Sequence, residues 1–241
     1  MLAPMLRAVR RPRAVAAVAG ALVVGLSGAL SGCAGIGQPA PYDSPGINGL
    51  VIPTPSADPD DFVEVVDNPW LALEPGATWT YDVVDSGRTI GTIEAEVVDG
   101  TSEVPGLTAT AVRTVTDLDG DDRDDRDEDE TRFYAQDADG NVWLVGADSS
   151  PGVTWRAGEG GAQAGLAMPA DPRLGDGWLA YEVPGLPRAS TTIEEQTREM
   201  VQMRGETTGE AGTLTRSVYE KGVGLVGVED LGAGWTAELD E

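Results

Sequence analysis

Reactive side chains are scarce in this chain of 241 residues. It contains no histidine, and Cys33 and Lys221 are its only cysteine and its only lysine. Without an imidazole, the chain cannot build a Ser-His-Asp triad, a Cys-His pair or a histidine-containing metal site. Enzymatic chemistry is therefore restricted to paired carboxylates, as in glycosidases, or to a serine or threonine activated by Lys221.

Basic residues are also few. The chain has 16 lysine and arginine residues against 41 aspartate and glutamate residues, which gives a formal net charge of −25. Nucleic-acid binding needs clusters of lysine and arginine that contact phosphates, so the composition argues against a nucleic-acid partner. An anionic bilayer would repel so acidic a surface. Attachment to a membrane therefore requires a separate anchor.

The N-terminus has the layout of an export signal. A positive segment precedes Ala14–Leu30, an apolar run of 17 residues that includes three glycines. The run is shorter than the roughly 20 apolar residues of a typical membrane span. The pattern therefore predicts a cleaved signal peptide over residues 1–32. The arginines of the positive segment are Arg7, Arg10, Arg11 and Arg13.

The residues around the single cysteine explain why it stands alone. Leu30, Ser31 and Gly32 precede Cys33, and this segment resembles the lipobox of bacterial lipoproteins, in which the cysteine receives a diacylglyceryl group. Lipidation accounts for an odd thiol in an exported chain, and two acyl chains suffice for stable attachment. We expect a lipid anchor on the extracytoplasmic side of the cell membrane. A secreted protein with a free thiol and an uncleaved membrane anchor are the alternatives.

Removal of the signal leaves 12 basic and 41 acidic residues, a formal charge of −29. Residues 33–67 are rich in proline, glycine and aspartate and bury little apolar surface, so they predict a flexible tether. Residues 68–241 have the length of one domain with its own core.

The domain alternates apolar and polar residues with the period of β-strands. Trp79, Tyr81 and Val83 share one face of the first clear strand, and Ile93 and Ala95 share one face of the next. Segment 191–203 fits either a helix or a strand, and its context favours a strand. The pattern predicts an all-β domain: an antiparallel sheet, a partly closed barrel or a sandwich. Predicted strands cover residues 78–83, 89–98, 108–116, 131–136, 141–145, 213–219, 225–229 and 235–239.

Residues 117–130 carry ten carboxylates in 14 positions. Calcium prefers six to eight oxygen ligands, and the spacing of an EF-hand loop partly fits this run. The sixth position is Asp122, however, where that loop needs glycine, and the flanks look like strands. A solvated hairpin loop is the alternative interpretation. The possible calcium ligands are Asp117, Asp119, Asp121, Asp125 and Glu128.

Segment 152–177 is rich in glycine, alanine and proline and predicts a long surface loop. Long ordered loops are often functional, so a ligand lid or a partner surface is one hypothesis. Trp155 and Trp178 bracket its glycine-rich part. The chain has six tryptophans and only two phenylalanines, so most tryptophans are expected in the core rather than on a sugar-stacking surface. The residues of the possible ligand or partner loop are Trp155, Gly160, Gly161, Met168 and Trp178.

Three segments, 68–81, 155–176 and 219–226, together resemble an uncharacterised family of bacterial exported proteins and lipoproteins. In that family the first segment reads NPxxPLxPGxxWxY and the last reads YxxGVGLV. Ala72 replaces a proline of the pattern here, and region 193–212 departs from it. The resemblance implies an antiparallel β domain, similar to the half-barrels of lipoprotein carriers, and implies no activity.

These observations favour a non-enzymatic domain that binds a hydrophobic ligand or a protein partner at the membrane, without a cofactor. A curved sheet would supply the concave apolar pocket for such a ligand. The alternatives are an envelope hydrolase of the glycosidase type, which needs two carboxylates about 5 to 10 Å apart, and a structural spacer lipoprotein.

Overall fold

The computed structural model describes residues 46–53, 57–99, 102–118, 128–149, 152–209 and 212–240. Cys33 and the rest of the lipobox, Leu30, Ser31 and Gly32, lie outside these residues. Within the described ranges, no helix is both long enough and apolar enough to cross a membrane.

The described residues form β-strands and one short 3-10 helix, Pro59–Asp61. All strand pairs are antiparallel, and fifteen strands join one large sheet, which confirms the predicted fold class. The strands are β1 (Phe62–Val63), β2 (Asp67–Asn68), β3 (Leu71–Ala72), β4 (Thr78–Asp85), β5 (Arg88–Val97), β6 (Ser102–Val104), β7 (Leu107–Leu118), β8 (Glu128–Asp137), β9 (Val142–Ser149), β10 (Val153–Arg156), β11 (Gly165–Met168), β12 (Gly177–Tyr181), β13 (Ala189–Gln196), β14 (Met200–Thr207), β15 (Leu214–Glu220), β16 (Gly224–Asp230) and β17 (Trp235–Leu239).

Strand order in the large sheet is β10-β9-β8-β7-β5-β4-β17-β16-β15-β14-β13-β12. Most neighbours are consecutive in the chain and are joined by short turns. The β4–β5 turn contains Ser86 (φ 51°) and Gly87 (φ 76°), the left-handed pair that a tight hairpin requires. The C-terminal strand β17 pairs with β4, so the last strand joins the two halves of the sheet.

The ambiguous segment 191–203 is β-structure, as its context suggested. It forms two strands of a hairpin, β13 and β14, rather than a single strand. Thr197 begins the turn, and its Oγ1 accepts a hydrogen bond from the Met200 amide at 2.9 Å. Ile193, Val201 and Met203 are buried on one face of this hairpin.

The prediction of a long surface loop at 152–177 was wrong. Strands β10 and β11 form within it and both pair with β9. Ala157, Ala162 and Ala164 are buried in the core of this half of the molecule. Small side chains suggested a loop because they bury little surface individually, but here they fill the space beneath larger neighbours.

The two ends of the sheet approach each other at β11 and β12. Gln163 and Glu182 form an isolated bridge, with a hydrogen bond of 2.7 Å from the Gln163 amide to the Glu182 carbonyl. The backbones come so close that a Cβ atom at Gly165 would collide with the Ala180 carbonyl oxygen. The sheet is therefore strongly curved, and one bridge links its ends without closing a continuous barrel.

Residues 66–73, here called the floor segment, lie across one end of the curved sheet. Asn68 is buried and holds this segment in place. Its Nδ2 donates to the carbonyls of Gly140 (2.8 Å) and Pro169 (3.2 Å), and its Oδ1 accepts from the Trp70 amide at 2.8 Å. These bonds fix the positions of Trp70 and Leu73 inside the sheet.

Described residues of the predicted tether also contact the sheet. Strand β1 pairs with β8, and Ile47 and Leu50 pack against the core. The Ile47 amide donates to a carboxylate oxygen of Asp176 at 3.2 Å. The β domain therefore includes contacts from residues before position 68.

Candidate ligand cavity

Strands β7, β8 and β9 have two different faces, and both are covered by protein. One face, here called the packed face, belongs to a continuous hydrophobic core. The opposite face, here called the cavity face, lines an internal space. The packed face consists of Leu107, Ala109, Ala111, Phe133, Ala135, Trp143 and Val145. The cavity face consists of Val112, Thr114, Arg132, Tyr134 and Leu144.

The space in front of the cavity face is a chamber of about 310 Å³, here called the apolar chamber. Residues from β4 and β5 continue its wall, and Leu71, Ala72 and Leu73 of the floor segment lie at one end. Both halves of the sheet contribute to it, so the chamber lies within the curve of the sheet. The apolar side chains from β4, β5 and β16 that line it are Trp79, Tyr81, Ile93, Ala95, Leu225 and Val228.

The wall from β13, β14 and β15 leaves space because four of its residues have small side chains, beside the larger Met203 and Tyr219. Thr191, Gly205, Thr215 and Ser217 line the chamber there. Large apolar residues at these positions would fill the space, as they do on the packed face. The wall from β4 and β5 carries Trp79 and Tyr81, whereas most of the lining residues from β13, β14 and β15 are small.

A second chamber, of about 470 Å³, adjoins the first. It is here called the polar chamber, because it adds serine, threonine and glutamate residues to a wall that also contains apolar residues such as Val153, Trp155 and Leu186. Ser149, Ser190, Glu206, Thr207 and Thr213 belong to it and not to the apolar chamber. The residues that line both chambers are Arg132, Leu144, Ala180, Thr191, Gly205 and Thr215. The two chambers therefore meet at Arg132.

Arg132 forms an ion pair with Glu130 at this junction, with 2.8 Å between Nη2 and Oε2. The exposed fractions of the two side chains are 52% and 34%, so both remain accessible. Burial disfavours the charged form of Arg132, but the charge of Glu130 and the electrostatic interaction with Tyr134 outweigh it and raise the pKa above its ordinary value. The guanidinium therefore stays charged inside the sheet.

Four tyrosines line the two chambers. Burial raises the pKa of Tyr81 to about 12, and it also raises the pKa of Tyr134, Tyr181 and Tyr219. All four are therefore neutral phenols at physiological pH. The Tyr81 hydroxyl donates to the Leu225 carbonyl at 3.0 Å. The cavity thus offers aromatic surface, neutral hydrogen-bonding groups and one arginine.

Most of the possible calcium ligands are not among the described residues. Asp119, Asp121 and Asp125 lie outside them. Asp117 lies near the end of β7 and pairs with Thr92, and Glu128 begins β8 and pairs with Thr116. The flanks of the acidic run are therefore the two strands of a hairpin, as the sequence indicated. In the part of the chain that the structure describes, no group of three potential metal ligands occurs.

The residues of the possible ligand or partner loop lie in several environments. Trp155 and Met168 are buried in strands β10 and β11. Gly160 (φ 56°) and Gly161 (φ 86°) form the tight turn between these strands. Trp178 is half-buried on β12, and its indole N–H donates to the Leu166 carbonyl at 2.6 Å. Trp155 nevertheless lines the polar chamber, so this segment is part of the cavity wall.

Sequence reasoning did not single out Arg132, Tyr134 or Glu130. In β8 these residues alternate with Phe133 and Ala135, and an alternating strand normally exposes its polar face to solvent. One available signal was the adjacent pair Phe133–Tyr134, which places an aromatic residue on each face of the strand. Such a pair indicates that both faces are covered.

Two solved structures are similar in part. An exported-protein candidate with a YmcC-like fold from Bacteroides fragilis is 11% identical, with a TM-score of 0.38, and the match covers 70% of this chain and 96% of that chain. A lipoprotein candidate from Parabacteroides distasonis is 13% identical, with a TM-score of 0.39, covering 72% and 98%. No family model matches the chain, and no curated protein gives a significant match.

Proposed function

We propose that this protein is an exported lipoprotein whose β domain binds an apolar ligand without converting it. The apolar chamber is the observation that carries this proposal. Its volume of about 310 Å³ lies at the lower end of the range of small-molecule sites, which are mostly apolar with a few placed polar groups. Protein cores are normally packed without such spaces.

The proposed anchor is a diacylglyceryl group on Cys33, after cleavage of residues 1–32. Its support is the sequence: an apolar run followed by Leu30, Ser31 and Gly32, and a cysteine with no second cysteine to pair with. The lipid holds a strongly acidic domain at a membrane surface that would otherwise repel it. The ligand cavity would then lie on the extracytoplasmic side.

Ligand binding is tested with the full-length chain carrying Cys33→Ser, which cannot be lipidated, purified without detergent. Calorimetric titration with 1-dodecanol should show saturable binding of one molecule. Native mass spectrometry of the same preparation should show apolar molecules that copurify with the chain. A chain that neither copurifies such molecules nor binds dodecanol would overturn the ligand proposal.

The anchor is tested by fractionation of bacteria that express the unmodified chain or its Cys33→Ser variant. The unmodified chain should sediment with membranes, and its N-terminal peptide should carry the mass of diacylglycerol on Cys33. The variant should lose that mass and leave the membrane fraction, unless its apolar run remains uncleaved. An unmodified Cys33 in the wild-type chain would contradict the lipid anchor.

A further inference from the structure

We propose that the ligand is an amphiphile with one apolar chain and an anionic headgroup. The chain occupies the apolar chamber, and the headgroup binds Arg132 at the junction with the polar chamber. This inference rests on the proposed function, because it names the chemistry of the ligand in the same cavity.

The first argument is the change of polarity along the cavity. The apolar chamber ends at Leu71 and Leu73 of the floor segment and is lined by large aromatic and aliphatic residues. The polar chamber is lined by hydroxyl and charged groups, among them Ser190 and Thr213, and also by apolar residues such as Val153 and Trp155. The carboxylates of Glu130 and Glu206 and the hydroxyls of Ser190 and Thr213 line only the polar chamber, so a polar group of the ligand is expected there and its apolar part in the apolar chamber.

The second argument is the position of Arg132. It lines both chambers, and it is the only basic residue among the described residues that line either of them. A guanidinium has five N–H donors in a fixed plane, and Glu130 contacts its Nη2 atom. More than half of the Arg132 side-chain surface remains accessible. Donors are therefore left for a carboxylate or phosphate, the groups that a guanidinium binds best.

The third argument is a comparison with Arg113 on the neighbouring strand β7. Arg113 pairs with Asp129 at 2.6 Å, so the chemistry matches that of Arg132 and Glu130. Arg113 lines neither chamber, although its side chain is about as exposed as that of Arg132, 49% against 52%. The two pairs thus differ in location and not in composition, which makes Arg113 a matched control.

Glu130 and Glu206 also line the polar chamber, and they make a cationic headgroup the competing outcome. The first experiment therefore compares three amphiphiles with the same chain: dodecanoate, 1-dodecanol and dodecyltrimethylammonium. The Cys33→Ser chain is titrated with each by calorimetry below the critical micelle concentration. We expect dodecanoate to bind about 10-fold to 100-fold more tightly than dodecanol, the range for a hydrogen bond to a charged group.

The second experiment uses variants of the same chain. Arg132→Gln should remove the preference for dodecanoate and leave dodecanol affinity within about 2-fold, which also shows that the cavity has folded. Arg132→Lys should restore part of the preference, and Glu130→Gln should raise dodecanoate affinity because Arg132 loses its competing partner. Arg113→Gln should leave all three affinities unchanged.

The outcomes separate the two proposals. Equal binding of dodecanoate and dodecanol, or an unchanged preference in Arg132→Gln, overturns the headgroup assignment and leaves the apolar site standing. Tighter binding of dodecyltrimethylammonium would show that the carboxylates select the headgroup, and it would also overturn the assignment of an anionic headgroup to Arg132. Failure of all three amphiphiles to bind overturns the proposed function itself.

Discussion

The packed face and the cavity face belong to the same three strands, β7, β8 and β9, but differ in what covers them. Phe133, Trp143 and Val145 of the packed face meet other side chains and are almost fully buried. Arg132, Tyr134 and Leu144 of the cavity face meet an internal space. The difference shows that one stretch of sheet both supports the fold and lines a site. The predictions below separate these two roles.

The largest effect is expected on the packed face. Phe133→Ala should lower the free energy of unfolding by about 3–5 kcal/mol, because it leaves a cavity in a close-packed core. Leu144→Ala on the cavity face should cost nearer to about 2 kcal/mol, since space is already present beside it. Urea denaturation of both variants measures the difference. Equal losses would contradict the distinction between the two faces.

A substitution in the floor segment should lower both the stability of the fold and the affinity for a ligand. Asn68→Ala removes the donor to the carbonyls of Gly140 and Pro169 and the acceptor for the Trp70 amide. Buried polar groups without partners are costly, so we expect a loss of about 2–3 kcal/mol in unfolding free energy. Dodecanol affinity should fall as well, because Leu71 and Leu73 shift.

Urea denaturation and calorimetry measure the two consequences of Asn68→Ala. Asn48→Ala is the control, since Asn48 is exposed and its substitution should stay within about 0.5 kcal/mol. Loss of stability with unchanged dodecanol affinity would show that the floor segment does not shape the cavity.

Filling the cavity should affect binding more than stability. Ser217→Phe places a large side chain in the apolar chamber, so dodecanol affinity should fall at least about 10-fold while unfolding free energy changes by less than about 1 kcal/mol. Thr80→Phe is the control, because Thr80 is exposed on β4. Undiminished dodecanol binding by Ser217→Phe would place the ligand elsewhere.

The smallest effect concerns an ion pair that covers the edge of the packed face. Arg156 lies over the Phe133 ring, 3.9 Å from its centroid, and pairs with Asp148 at 2.7 Å. The hydrogen bond from Arg156 lowers the pKa of Asp148. A carboxyl whose pKa is lower in the folded state stabilises the protein above its unfolded pKa, about 3.9, and loses this contribution as the pH falls through the folded value.

Asp148→Asn should therefore lower stability by less than about 1 kcal/mol at pH 7, because the pair is partly exposed and screened by solvent. The gap between the variant and the wild type should shrink at pH 3. Urea denaturation at both pH values measures it. A gap that stays constant between pH 7 and pH 3 would show that Asp148 contributes through packing and not through its charge.

Local patterns predicted the strands well. Trp235–Leu239 has the predicted bounds, and the predicted inward residues Trp79, Tyr81, Ile93 and Ala95 line the cavity. Alternation identifies the two faces of a strand, because successive side chains point in opposite directions. It does not identify a third environment, a partly open cavity within the sheet that accepts charged residues. Arg132 and Glu130 therefore looked like solvent-facing residues of β8.

The sequence by itself determined the antiparallel β class and the acidic surface. It also contains the residues that predict an export signal and a lipobox. These properties depend on composition, on short motifs and on a period of two residues. Only the tertiary structure decided that segment 152–177 is part of the wall and that Arg132 lies between two chambers. Both depend on the approach of β11 and β12 at the Gln163–Glu182 bridge and on residues from both halves of the sheet that line one cavity. The curvature of the sheet brings them together, and no local pattern encodes the space that remains between them.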